Sequence, residues 1–408
     1  MQTLRIENQP ELAAELLQQG ELVAIPTETV YGLAGNGLDA DVIEKIYETK
    51  NRPPVKPLSL MVPDIRRAEE FCAGVPEAAY ILARHFWPGP LTIVMEAKEG
   101  VLPPVLLAGG HTVGLRCPLQ DQTMELLRIL PFPLAVPSAN LSGQKSALSA
   151  EEVLAYFDGK IAAVVDGGPC SVGKESTLID VSRVPYRILR AGALSETEIA
   201  DALVSELTLV GITGGSGCGK TTALRVFEKE GALILDGDAI YHELLHAGGD
   251  LCRDLEKAFP EAFAGGKLDR RILGARVFQN KEDLATLNRI SHTYIREEIR
   301  NRLRQFAMQG GKLAVIDAID LFGEGTRGLD FAATIAVTAP EETRVRRIVA
   351  RDGISEEAAR ARIAGQYQES YFLEHCDIVV SNEADEESFV RKIQDIMEER
   401  QWKKRKAT

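Results

Sequence analysis

The chain has 408 residues, with 47 Lys and Arg against 60 Asp and Glu, a formal net charge of -13, and hydrophobic residues making up 45%. That length predicts two or three domains, each able to bury its own core, and the net acidity excludes nonspecific nucleic-acid binding through a general basic field. No apolar run approaches the roughly 18 residues of a membrane span, and the first 11 residues are polar, so neither a transmembrane helix nor a secretory leader is expected. Six cysteines stand far apart without a C-x-x-C pair, which argues against a zinc site or a disulfide framework and fits a reducing, cytoplasmic setting.

In chain order, residues 12–19 read as an amphipathic helix and 22–26 as a buried strand, followed by the hydroxyl-rich turn "PTETVYGLA". A helix over 41–48 leads into "KNRPPVKPLSL", where Lys50, Arg52 and Lys56 are held in a loop stiffened by prolines. Prolines lower the entropy lost when such a loop clamps an anion, which favours an anion-binding role over a solvated charge cluster. "FWPGPLT", "VGLRCP", "PSANLSG", "KESTLIDV" and "ILRAGA" then place hydroxyl, amide and guanidinium groups at the ends of successive strands. Residues 195–205 read as a short helix, with no Gly/Ser or Pro-rich spacer after it, so domains are expected over 1–204 and 205–408.

Past the midpoint, an apolar run opens "GITGGSGCGKTT", which matches G-x-x-x-x-G-K-[ST] over Gly214, Gly215, Ser216, Gly217, Cys218, Gly219, Lys220 and Thr221, with Thr222 following. Glycines let the backbone wrap a triphosphate and helix N-terminal amides face the anion. Lys220 would neutralise the β/γ-phosphates, and the Thr221 hydroxyl would ligate Mg²⁺ as the cofactor of ATP. The stretch 232–238 reads as a strand ending in Asp236 and Asp238, suited to accepting a hydroxyl proton or ordering the metal. His292, a lone histidine, is expected to be structural. Strands are expected at 313–317 and 333–337. Arg344, Arg347 and Arg351 then fall on one helical face, as in a lid that closes over phosphates. The basic tail 403–406 reads as a frayed, solvated terminus.

The motifs of residues 1–203 resemble, in order, those of the threonylcarbamoyl-AMP synthase family. That resemblance implies a YrdC-like, twisted, mainly parallel α/β sheet around a positively charged cavity. It implies condensation of L-threonine, bicarbonate and ATP to threonylcarbamoyl-AMP and pyrophosphate, with a separate tRNA-modifying transferase complex downstream. By position, Thr29, Arg116, Ser138 and Ser176 would hold threonine. Lys50, Arg52, Lys56, Thr112, Asn140 and Arg190 would face ATP or the adenylate. Anhydride formation needs clustered cations and a preorganised grip on the amino acid more than a strong base. Met61 stands where longer members carry a histidine.

The second half resembles dephospho-CoA kinase through "GITGGSGCGKTT", "LILDGD", "LDRRILGARVF", "RIVARDGISEEAARARIAGQ" and "CDIVVSN". This implies a P-loop kinase with a parallel sheet and a helical lid, phosphorylating the 3'-hydroxyl of dephospho-CoA. Asp238 would be the base, Lys220 and Thr221 would handle phosphate and Mg²⁺, and Arg347 and Arg351 would act from the lid. The family's Pro-Leu-Leu-Phe-Glu is replaced around Ala318 to Glu324, and Tyr371 and Phe372 stand where a lysine is common. Two alternatives therefore stay open: a kinase with another small-molecule acceptor, or one half kept as a non-catalytic binding module.

Overall fold

The computed structural model describes residues 2–318, 321–383 and 385–402, the Phe278 side chain apart. Ile319, Asp320 and the basic tail 403–406 lie outside the described residues. The chain divides into two compact units, residues 1–205 with 308–310, and residues 206–307 with 311–408.

The first unit is organised by a ten-stranded sheet. Val23–Ile25, Leu91–Glu96, Thr112–Arg116 and Ala163–Val165 are among its most buried strands. The sheet is mixed, which corrects the mainly parallel expectation: of nine ladders among the described residues, four are parallel and five antiparallel. For two of the five antiparallel ladders the reason is connection length. Parallel neighbours need a crossover of a dozen or more residues, whereas residues 26–31 alone join Val23–Ile25 to its antiparallel partner Gly32–Asn36. Those few residues are the hydroxyl-rich turn, so the hairpin itself carries polar groups to the sheet end.

Helix Ala40–Thr49 delivers the basic loop. Asp39 caps it by accepting from the amides of Asp41 and Val42, and Val42, Ile43, Ile46 and Tyr47 bury one face at i, i+3 and i+4 spacing. Lys50 is its C-cap, where a cation suits the helix dipole. The Tyr47 hydroxyl donates to the Lys56 carbonyl at 2.9 Å and ties the loop back onto the helix.

The second unit holds a five-stranded sheet in the order Leu233–Asp236, Leu313–Asp317, Thr208–Thr213, Ala333–Thr338, Ile378–Ser381, all parallel. Buried Phe227, Phe389, Ile393 and Met397, from helices Lys220–Lys229 and Glu386–Glu399, pack on its strands. A second cluster, including Leu251, Leu255, Phe259 and Leu273, joins helices Asp250–Ala258 and Arg270–Gln279. The strand expected over 232–238 ends at Asp236. Asp238 lies in the first turn of helix Gly237–His246, which Asp236 caps through the amides of Asp238 and Ala239. An Asx cap competes successfully with extension of the strand there. Among the described residues no helix is long and apolar enough to cross a membrane.

Candidate active sites

The first unit contains a cavity of about 510 Å³. Its walls carry Arg116, Ser138 and Ser176 of the residues expected to hold threonine, and Lys50, Arg52, Lys56, Asn140 and Arg190 of those expected to face ATP. Thr29 is fully buried just behind the wall, where its hydroxyl accepts from Arg116 Nη2 at 2.8 Å. Thr112 is not brought to the wall. It begins the strand that Arg116 ends, and four steps of about 3.3 Å put it roughly 13 Å from Arg116 along the strand.

The cations are held by backbone carbonyls. Lys50, 1% exposed, donates through Nζ to the carbonyls of Ser138 and Asn140, the latter at 2.5 Å. Burial, with the neighbouring Arg52 charge adding to it, lowers its pKa to about 7, while Glu175 opposes the shift. Arg52 donates to the carbonyls of Lys56 (3.3 Å) and Pro57 (3.0 Å). Arg190 reaches the Ser176 carbonyl and hydroxyl at 2.8 and 3.0 Å and pairs with Glu175 at 2.8 Å. Sequence reasoning passed over Glu175, the single carboxylate of the cavity wall, and Glu28, which sits buried against Arg116 at 2.8 Å. Glu28 lay within a quoted motif, but its partner is 88 residues away. Met61 is buried in the same wall.

In the second unit, the loop after strand Thr208–Thr213 encloses about 390 Å³ together with Asp236, Asp238, Asp317, Ala318, Arg347 and Arg351. Residues 215–221 line it; Gly214 and Thr222 stand behind the wall. Gly214 has φ 142° and Gly219 φ 106°, backbone that side chains rarely adopt. A Cβ on Gly214 would meet the Val337 carbonyl at 2.3 Å. Gly219 is the N-cap of helix Lys220–Lys229, so the helix amides open onto the cavity. Lys220 Nζ donates to the Gly214 carbonyl at 2.9 Å and lies 3.6 Å from Asp317.

Asp317 was read only as the end of a strand. Register brings it into the site, because Asp236 pairs with Asp317 across two parallel strands. Burial pushes its carboxyl up to about 6, with Asp236 and Asp238 adding to the shift and Lys220 opposing it. The arginine helix, Glu341–Asp352, meets the loop as its spacing predicted. Arg344 Nε donates to the Ser216 carbonyl at 3.0 Å, and Arg347 Nη1 to those of Gly217 and Cys218 at 3.2 and 3.3 Å. Gln366 accepts from the Ser216 amide at 2.8 Å. Asn382, also passed over, donates to the Cys218 carbonyl at 2.9 Å.

A larger cavity of about 950 Å³ lies between helix Lys281–Met308 and residues 321–331. Arg289, His292, Arg296, Phe322 and Arg327 are in its wall, with Glu324 the one carboxylate there among the described residues. His292, expected to be structural, thus borders a cavity. Arg296 donates to the Glu324 carbonyl at 3.0 Å, and Arg327 pairs with the Glu324 carboxylate at 2.9 Å. Beyond Phe322, His375, Tyr371 and Tyr367 form a stack with centroids 4.1 and 4.0 Å apart.

Comparison with known proteins divides at the same place as the two sheets. Residues 15–192 match the Sua5–YciO–YrdC family, described as telomere recombination, and residues 208–387 match the family described as dephospho-CoA kinase. The threonylcarbamoyl-AMP synthase of Pyrococcus abyssi is 41% identical over 198 residues, covering 48% of this chain and 58% of that protein. A putative threonylcarbamoyl-AMP synthase of Mycobacterium tuberculosis is 34% identical over 191 residues, 47% of this chain and 87% of that one. The dephospho-CoA kinase of Corynebacterium glutamicum is 35% identical over 193 residues, 47% of this chain and 98% of that one. The chain therefore spans little more than half the length of the Pyrococcus relative.

Proposed function

Because the chain belongs to the Sua5–YciO–YrdC family through its first half and to the dephospho-CoA kinase family through its second, we propose that it is a bifunctional enzyme with two separate ATP sites. The first unit condenses L-threonine, bicarbonate and ATP to threonylcarbamoyl-AMP and pyrophosphate. The second phosphorylates the 3'-hydroxyl of dephospho-CoA. The observation that carries the reading is the presence of two polyanion cradles that share no lining residue, one with the side-chain cations Lys50, Arg52, Lys56 and Arg190 and one of loop amides with Lys220.

In the first site Arg116, backed by Thr29, holds the amino acid with Ser138 and Ser176, and Lys50, Arg52, Lys56, Asn140 and Arg190 hold the triphosphate. Fixed cations near the α-phosphate lower the cost of the charge that builds as the carboxylate attacks. Lys50 gives this site a pH signature. Below about pH 7 it is an ammonium with or without ATP; above, the free protein has lost that proton and ATP must draw it back. ATP affinity for the first unit should therefore fall as pH rises through 7, by up to about tenfold per pH unit. Calorimetry at pH 8 in two buffers of different ionisation heat should register proton uptake; none would contradict the role given to Lys50.

In the second site the loop amides and Lys220 bind the β- and γ-phosphates, and Asp238 accepts the acceptor's hydroxyl proton. Arg347 and Arg351 supply charge to the transferring group. The residues fit a magnesium ion held with the nucleotide: the Thr221 hydroxyl and Asp236, Asp238 and Asp317 share one cavity. No cluster of three or more metal-ligating side chains occurs among the described residues, as suits a cation that keeps waters and phosphate oxygens as ligands. Bound there, it would supply charge neutralisation on the β- and γ-phosphates.

The basic cavity of about 950 Å³ is the place we assign to the rest of the acceptor. Ala318 borders the phosphate cavity and Phe322 the larger one, so the two walls are at most about 14 Å apart along the chain. A nucleotide diphosphate tail would meet Arg289 and Arg296 there. Arg289→Ala with Arg296→Ala should raise the KM for dephospho-CoA by about 10–100-fold and leave the KM for ATP unchanged. Equal rises in both would move the acceptor elsewhere.

A further inference from the structure

Arg116 distributes its five N–H groups unevenly. Nε donates to the Gly89 carbonyl at 3.2 Å, and Nη2 donates to Glu28 Oε1 and to Thr29 Oγ1, both at 2.8 Å. The two N–H groups of Nη1 have no protein partner among the described residues. The side chain is nevertheless buried, and it belongs to the cavity wall. Nη1 is not among the buried polar atoms left without a partner, so this edge of the guanidinium opens onto the cavity, where a ligand can complete it. Two unused donors on a buried guanidinium suit a carboxylate.

Glu28 accounts for that orientation. It is 6% exposed and stands behind the wall rather than on it. Its Oε1 holds Nη2, while its Oε2 accepts from the Leu119 amide at 3.0 Å. One carboxylate thus spans the strand-end arginine and the turn that follows it, and pins both. Buried ion pairs of this kind contribute little net stability compared with apolar packing, so stability alone is a weak reason for a glutamate here. Pairing also keeps Arg116 neutralised before substrate arrives, with one edge left open to the cavity.

We propose that Glu28 is a positioning residue that aims the Nη1 edge of Arg116 at the carboxylate of the amino-acid substrate and so sets the requirement for that carboxylate. The proposal rests on the first unit being the threonine-using site. Glu28 does not touch the substrate; it acts through Arg116. Without it the guanidinium keeps only the Thr29 and Gly89 contacts and is free to turn toward other anions, ATP phosphates included.

The test is steady-state kinetics of pyrophosphate release by the full chain, with threonine and ATP varied separately. Glu28→Ala should raise the KM for threonine by about 10–100-fold, with kcat at saturating threonine and the KM for ATP little changed. L-threoninol, which lacks the carboxylate, should inhibit wild type far more weakly than a carboxylate-bearing analogue. In Glu28→Ala that preference should collapse. Glu28→Gln, which keeps the volume and one acceptor, should fall between the two, and it carries the same test should the alanine variant fail to fold. The proposal is overturned if the KM for threonine stays at the wild-type value, or if both KM values and the melting temperature move together as for a structural residue. A wild-type chain that releases no pyrophosphate with threonine overturns the functional reading instead, before any variant is made.

Discussion

Replacing Lys220 by alanine should lower acceptor phosphorylation by roughly 10²–10³-fold, the effect of removing one preorganised charge from a transition state. The same change should leave threonylcarbamoyl-AMP formation within about twofold, because the two sites share no lining residue and sites without shared partners behave additively. Lys220 opens helix Lys220–Lys229, where alanine is a good helix former, so the loop should survive the change. What disappears is the ammonium 2.9 Å from the Gly214 carbonyl and 3.6 Å from Asp317. Asp317 also loses the cation that opposes its raised pKa, so its carboxyl should titrate higher still. Initial rates of ADP and pyrophosphate release from one preparation check the pair of outcomes. Loss of both activities in a folded chain would refute two independent sites.

Arg52→Ala should do the reverse. We expect kcat/KM for ATP in adenylate formation to fall by about 10–100-fold, the worth of a charge-assisted contact to phosphate, with acceptor phosphorylation unchanged. Arg52 is held by the carbonyls of Lys56 and Pro57 and lies beside the Tyr47 hydroxyl, so its removal breaks no ion pair with a buried carboxylate among the described residues. A second consequence separates it from simple damage. Arg52 is one of the two causes that lower Lys50, so without it the Lys50 pKa rises toward the ordinary lysine value. The pH at which ATP binding weakens should then move upward. A variant with weaker binding but an unmoved pH dependence would show that Arg52 and Lys50 do not share the phosphate site.

Local patterns made much of both sites readable before any coordinates. The spacing of Gly214, Gly217, Gly219 and Lys220 dictates a cradle at a helix start, since the positive-φ positions and the helix N-terminus are set by neighbours in sequence. The basic loop and the hydroxyl-bearing strand ends were legible for the same reason. The parts that were missed depend on pairing across long separations. Asp317 becomes a site residue through its register with Asp236, and Glu28 through an arginine 88 residues on. Asn382 reaches the phosphate loop from 164 residues away. Asp238 was placed on a strand that a capping aspartate ends two residues earlier. The parallel sheet expected of the first unit failed where a short turn allowed only a hairpin.

The most direct measurement of the central claim is mass spectrometry of the products formed by one purified preparation of the full chain, in two tubes with ATP and Mg²⁺. One tube contains dephospho-CoA, the other threonine and bicarbonate. Two cradles with no residue in common predict coenzyme A accumulating in the first and threonylcarbamoyl-AMP in the second, each growing with time and neither needing the other's substrates. Threonylcarbamoyl-AMP without coenzyme A would contradict the account, leaving a kinase fold whose acceptor is different or absent; coenzyme A alone would contradict it for the first unit.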